Sequence, residues 1–122
     1  MRVDTRPRHK NSPRPAEKSA PGFLQWLRGR SCVIGGQCLG KMEACHVDYA
    51  GDKGMGTKVS DRFSIPMCCG HHSEQHNAGW PAFEARHDIN GLKLAEAFWS
   101  AWPGRRAWEE KNQLTNSVRV NR

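Results

Sequence analysis

At 122 residues, with 37% apolar side chains and a mean hydropathy of −0.78, the chain has room for one small domain with tails and not for a large core. No run approaches the ~18 apolar residues of a membrane span, and residues 1–10 are polar and basic without an apolar signal stretch, so a cytoplasmic protein with no membrane partner is expected. The net charge is +7, and it sits in the flanks: residues 1–30 hold eight Lys/Arg against two acids, 104–122 hold five against two, and 31–103 hold six against eight. Basic flanks around a near-neutral centre suit a polyanion, because each neutralised phosphate releases condensed counterions.

In chain order, residues 1–20 are rich in proline and charge and poor in apolar side chains, which predicts a disordered basic arm. Pro21 to Leu27 predicts a short helix docking Phe23, Trp26 and Leu27 at i, i+3, i+4, with Gly29 ending it. Gly35-Gly36 allows a tight turn that lets Cys32 and Cys38 face one ion. Met42–Tyr49 and Val59–Met67 read as two strands of a hairpin, the second stopping near Pro66, joined by a glycine-rich loop over Gly51–Gly56. His71 to Ala78 can be helical, which puts His72 and His76 on one face, where both reach one ion. A short helical turn over Pro81–His87 follows. A longer helix capped by Asp88 or Asn90 runs through Ser100 with Leu92, Leu94, Ala95, Phe98 and Trp99 as its apolar face. Pro103-Gly104 breaks it, and a last helical piece covers Arg105–Leu114. The tryptophans are expected mainly to pack rather than to stack on bases.

All five cysteines and four of the six histidines fall between Cys32 and His76. Five is an odd number, and the neighbours Cys68 and Cys69 do not suit ordinary bridges, so the thiols read as reduced and metal-bound. There are too many candidate ligands for one four-coordinate ion. Two jobs follow: a structural zinc knot that staples a small core, and a histidine-rich site with chemistry to perform.

The order of strand ending in His46, long loop, strand, and helix with His72-x3-His76 resembles the HNH, or ββα-metal, nucleases. More narrowly it is similar to a prophage-encoded branch that includes a RecA-dependent phage nuclease. The resemblance is carried by Cys32-x5-Cys38, Glu43-Ala44-Cys45-His46-Val47, Gly54-Met55-Gly56-Thr57-Lys58-x2-Asp61, and Ile65-Pro66-Met67-Cys68-x2-His71-His72-x3-His76, a little over a third of the chain.

The resemblance implies an α+β fold: a zinc-stapled ββα-metal core with extra C-terminal helices. The implied division is a basic arm over 1–20, a nuclease domain over 21–112 and a basic tail over 113–122. It implies a DNA endonuclease of phage or prophage recombination in a bacterial host, acting as a monomer on DNA or on recombinase-coated single-stranded DNA. His46 takes the general-base position, a role that a neutral imidazole suits near neutral pH. Asp61 orients a histidine or the loop, and Lys58 contacts phosphate. His72 and His76 hold the catalytic ion, which is Mg²⁺, Mn²⁺ or Zn²⁺. Cys45 replaces the metal-binding residue that often precedes the base; either it binds the ion, where a thiolate suits Zn²⁺ better than Mg²⁺, or it is simply buried and unliganded. The structural zinc is expected on Cys32, Cys38, Cys68 and His71, with Cys69 the rival to His71. Arg28, Arg30, Arg105 and Arg106 join Lys58 as expected DNA contacts. A zinc-containing nucleic-acid-binding module without catalysis is the alternative function.

Overall fold

The computed structural model describes residues 14–50 and 58–120, with side chains through residue 112. The fold is α+β: among the described residues it has a two-stranded antiparallel hairpin and five α-helices. A 3-10 turn at Ala16–Lys18 precedes helix α1 (Pro21–Leu27). Strands β1 (Met42–His46) and β2 (Ser64–Cys68) form the hairpin. Helices α2 (Cys69–Ala78), α3 (Trp80–His87), α4 (Gly91–Ala101) and α5 (Arg105–Val120) follow. None of the described helices is long and apolar enough to cross a membrane.

Both strands are shorter than their apolar patterns predict. The expected second strand from Val59 turns at its start and pairs from Ser64 onward, continuing through Pro66 to Cys68. The register explains why Pro66 does not stop it. Val47 N–H donates to the Phe63 carbonyl and Cys69 N–H to the Lys41 carbonyl, so bonded pairs fall at odd positions of β1. Pro66 sits opposite Ala44, in a pair that exchanges no ladder bonds. Its missing N–H therefore costs the sheet nothing, and its carbonyl accepts from Val33 on the outer edge.

The hairpin is covered on both faces, and alternation along the strands decides which residue goes where. Cys45, Val47, Ile65 and Met67 enter one core with Trp80, Phe83 and Ala95. Ala44 faces a second core built by Ala20, Phe23, Leu27 and Trp99. In α1, Phe23 and Leu27 lie at i, i+4 and are fully buried, and Pro21 supplies the preset first turn. Burying two such side chains contributes roughly 3–6 kcal/mol. Phe23 meets Trp99 edge-on at 5.0 Å, and Trp99 meets Trp108 edge-on at 5.1 Å. Trp80 and Trp99 are each 5% exposed, so these two serve packing, as expected.

Helix ends follow local chemistry. Asn90 caps α4 by accepting from Lys93 N–H at 2.9 Å. Cys68 caps α2 by accepting from His71 N–H at 3.4 Å, which starts that helix two residues before the expected point. Helix α5 runs past the expected end at Leu114 because no glycine or proline interrupts 105–120. The boundary placed at residue 112 therefore falls within a helix.

The expected arm also divides differently. Residues 1–13 lie outside the described residues, as does the Gly51–Gly56 loop. Residues 14–20 pack against the entry to β2: Arg14 Nε donates to the Val59 carbonyl at 2.7 Å, and Lys18 Nζ to the Lys58 carbonyl at 3.1 Å.

Candidate metal centre and histidine sites

The ligand atoms of Cys32, Cys38, Cys68 and His71 all lie within 4.8 Å of one another. Two peptide segments are pinned together to achieve this. Val33 N–H bonds to Pro66, and Cys69 and Gly70 N–H bond back to Lys41 and Leu39. Gly35 and Gly36 have φ of 73° and 66°, a left-handed turn that lets the knuckle return its second thiol. Gly40 is required twice over. Its φ is 76°, and a Cβ there would sit 2.6 Å from the Cys69 Cβ.

His71 Nδ1 stands 3.1 Å from the Cys68 sulfur and 3.6 Å from that of Cys32. A tetrahedral ion about 2.3 Å from sulfur and about 2.0 Å from nitrogen has S···N edges of roughly 3.5 Å, so the set can hold a metal ion of zinc's size. The thiols' acidities also suit a bound cation. Burial raises the Cys68 thiol, but backbone N–H groups of His71 and Leu39, with the Cys38 thiol, outweigh it and lower Cys68 to about 6. Cys38 is raised to about 11 by desolvation and by the neighbouring Cys32 and Cys68 sulfurs. A second thiolate is unfavourable beside the first until a positive ion joins them. Cys69 is exposed and outside the group, whereas its rival His71 lies within it. His87, unused in the sequence reading, packs edge-on to His71 at 5.5 Å, and its Nε2 lies 2.8 Å from Glu74.

His46 ends β1 on the face opposite Cys45. Its Nε2 lies 2.9 Å from Asp61 Oδ1. A carboxylate only accepts, so Nε2 carries a proton, and in the neutral imidazole Nδ1 is then the accepting nitrogen. Asp61 is 4% exposed and accepts at Oδ2 from Ala20 N–H at 2.8 Å, with Arg14 Nε 3.4 Å from Oδ1. Burial pushes its pKa up, but the bonds from His46 and Ala20 and the charge of Arg14 outweigh that and hold it below the ordinary 3.8. Arg14 and Ala20 were missed from sequence, since a backbone N–H and one arginine in a basic stretch carry no local signal.

His72 and His76 form a second site, one turn apart on α2. Their Nε2 atoms are 3.2 Å apart. Nitrogens sharing one tetrahedral ion at about 2.0 Å stand roughly 3.3 Å apart, so the pair fits a shared ion with positions open to other ligands. Glu43 Oε1 accepts from His72 Nδ1 at 2.6 Å, which turns the Nε2 lone pair toward His76. Glu43 is a further residue whose role was not read from sequence. It faces α2 because it shares a strand face with Cys45.

Cys45 does not join this pair. It is fully buried, and its thiol donates to Gln75 Oε1 at 3.7 Å. Burial, then the charges of Asp48 and Glu43, push it up to about 12, as suits a thiol packed in the core. Among the described residues, no hydrogen bond joins His46 to His72 or His76, which lie on the opposite side of the β1 pleat.

Of the arginines expected to meet DNA, Arg28 and Arg106 are exposed and Arg30 lies over the Trp26 ring at 4.9 Å. Arg105 is engaged by Glu109 at 3.1 Å. Lys58 lies beside the Arg14–Ala20 segment through its carbonyl.

No curated protein and no solved structure matches the chain. A family model does match residues 1–101, spanning both histidine sites and the whole cysteine cluster, and the chain therefore belongs to DUF968, a protein family of unknown function.

Proposed function

We propose that this protein is a metal-dependent DNA endonuclease of the HNH type, with a structural zinc at Cys32, Cys38, Cys68 and His71. The observation that carries the reading is the pair of Nε2 atoms 3.2 Å apart on α2, backed by Glu43 and set on a hairpin whose first strand ends in His46. His72 and His76 would hold a divalent ion, which would supply charge neutralisation at the scissile phosphate. His46 Nδ1 accepts a proton from the attacking water as its oxygen bonds to phosphorus. The P–O3′ bond breaks, leaving a 5′-phosphate and a 3′-hydroxyl that takes its proton from solvent. Asp61 compensates the positive charge that His46 acquires. Basic residues of the flanks hold the DNA, so affinity falls steeply with salt. Phage or prophage recombination, on DNA or on recombinase-coated single strands, is the proposed setting.

The test incubates the protein with supercoiled and single-stranded DNA and added Mg²⁺, Mn²⁺ or Zn²⁺, with and without recombinase filaments. His46→Ala, shown to be folded and zinc-loaded, runs beside it. Nicking that disappears in the variant is the expected result. Equal nicking by both removes His46 from the mechanism.

One observation favours a second reading. The β1 pleat directs His46 and Glu43 to opposite faces, and a zinc-containing nucleic-acid-binding module needs no convergence of the two histidine sites. DNA binding without cleavage under every condition selects that module.

A further inference from the structure

We propose that Arg14–Ala20 is a positioning strap that fixes the tautomer of His46, with the Ala20 N–H as its decisive contact. The strap is tied to Asp61 in both directions. Asp61 N–H donates to the Lys18 carbonyl at 2.9 Å, and Ala20 N–H donates to Asp61 Oδ2 at 2.8 Å. Arg14 Nε bonds the Val59 carbonyl at 2.7 Å and stands 3.4 Å from Oδ1. From the other side, Trp108 Nε1 of α5 donates to the Ser19 carbonyl at 2.8 Å. Ala20 itself is 1% exposed.

The consequence is a carboxylate that cannot choose its orientation. One oxygen is taken by a buried backbone donor, and the other faces His46 Nε2 at 2.9 Å. This holds the imidazole in the Nε2–H form and reserves Nδ1 as the accepting nitrogen. The catalytic value of that arrangement rests on the nuclease reading above, whereas the tautomer does not.

The strap makes an unusual prediction for Asp61→Asn. The amide can place its oxygen at only one of the two positions. The Ala20 N–H cannot move its proton and donates at 2.8 Å, whereas Arg14 Nε already donates to the Val59 carbonyl at 2.7 Å and stands 3.4 Å from Oδ1, so the amide oxygen occupies the Oδ2 position and the NH₂ faces His46. His46 can adapt, by moving its proton to Nδ1 and accepting at Nε2. The conservative variant thus turns the base nitrogen into a donor.

The experiment is long-range ¹H–¹⁵N NMR of the zinc-loaded full chain at about pH 9, where an ordinary imidazole is neutral, with His46 assigned by its loss in His46→Gln. The expected result is Nε2–H in the wild type and Nδ1–H in Asp61→Asn. Nε2–H retained in Asp61→Asn, or Nδ1–H in the wild type, overturns the strap. Should that variant not fold, the wild type still decides: the Ala20 amide must exchange slowly with solvent, and fast exchange sinks the proposal. Arg14→Gln adds a kinetic reading. A positioning role lowers kcat roughly tenfold with KM unchanged, while a change in KM alone reassigns Arg14 to DNA contact and removes it from the strap. A tautomer that reverses in a protein without nuclease activity rejects the nuclease reading and keeps the strap. Cleavage with an unaltered tautomer does the reverse.

Discussion

The cysteine knot and the His46 site are both polar clusters at the edges of one hairpin, yet they are held in different ways. The knot draws on two short segments, 32–38 and 68–71, each bent by local turns that bring its ligands together. The His46 site draws single groups from positions 14, 20, 46 and 61, and each is placed by something other than its neighbours in sequence. One cluster gathers three thiols and an imidazole that could hold a cation. The other carries its own charge balance through Arg14 and a buried N–H. A metal site of this kind can be written into spacing, whereas a hydrogen-bonded site depends on the packing that surrounds it.

The contrast is broken most severely at the knot. Cys38→Ser removes one ligand of four, and structural zinc contributes apparent binding free energies of about 10–16 kcal/mol in small domains. The expected outcome is loss of the folded circular-dichroism spectrum together with loss of bound zinc. A folded, zinc-free variant rejects a structural role for the cluster.

Next in size is the core behind the strap. Phe23 is fully buried against Trp99 and Trp102, so Phe23→Ala should lower stability by about 3–5 kcal/mol in urea. Because Phe23 lies in the core on the other face from the cluster's helix, the zinc content of the folded fraction should stay at the wild-type value. Parallel loss of zinc would mean that the two regions are one unit.

A smaller effect separates the second histidine site from both. Glu43→Gln leaves the His72 and His76 side chains in place but weakens the acceptor that orients His72. Metal affinity there should fall 10–100-fold, read by competition with a chromophoric chelator after the structural site is saturated. Unchanged affinity would remove Glu43 from the site.

The mildest probe is pH. Asp61 has a folded-state pKa below its ordinary 3.8, so its bonds stabilise the fold above about pH 4 and are lost as pH falls through the lowered value. Asp61→Asn should therefore be less stable than wild type near neutrality, with the gap closing under acid. A gap that is constant between pH 7 and pH 3 would show that the charge of Asp61 is not what matters.

Much of this architecture is legible in the chain. Helix α1 carries the expected Phe23 and Leu27 pair with a proline at its start, and α4 is capped by Asn90 as its sequence suggests. The four residues that the nuclease resemblance assigns to the knot lie close enough together to hold a metal ion. Cys45 was less readable. The same residue type that binds metal elsewhere is one of the most readily buried, and only its strand face decides between the two. Pro66 misled for a related reason: a proline stops a strand only where the ladder requires its N–H, and pairing register is a property of two strands together.

By itself, the sequence determined the small α+β domain, the positions of its helices, the cysteine–histidine knot and the pairing of His72 with His76 on one helix face. These are contacts at fixed short spacings, where helix pitch and glycine turns leave little freedom. The tertiary structure alone decided that Cys45 faces the core, that Glu43 backs His72, and that residues 14–20 hold Asp61 against His46. Those contacts join residues many positions apart, and their partners include backbone groups that every residue carries. Only the folded packing selects which of them meet.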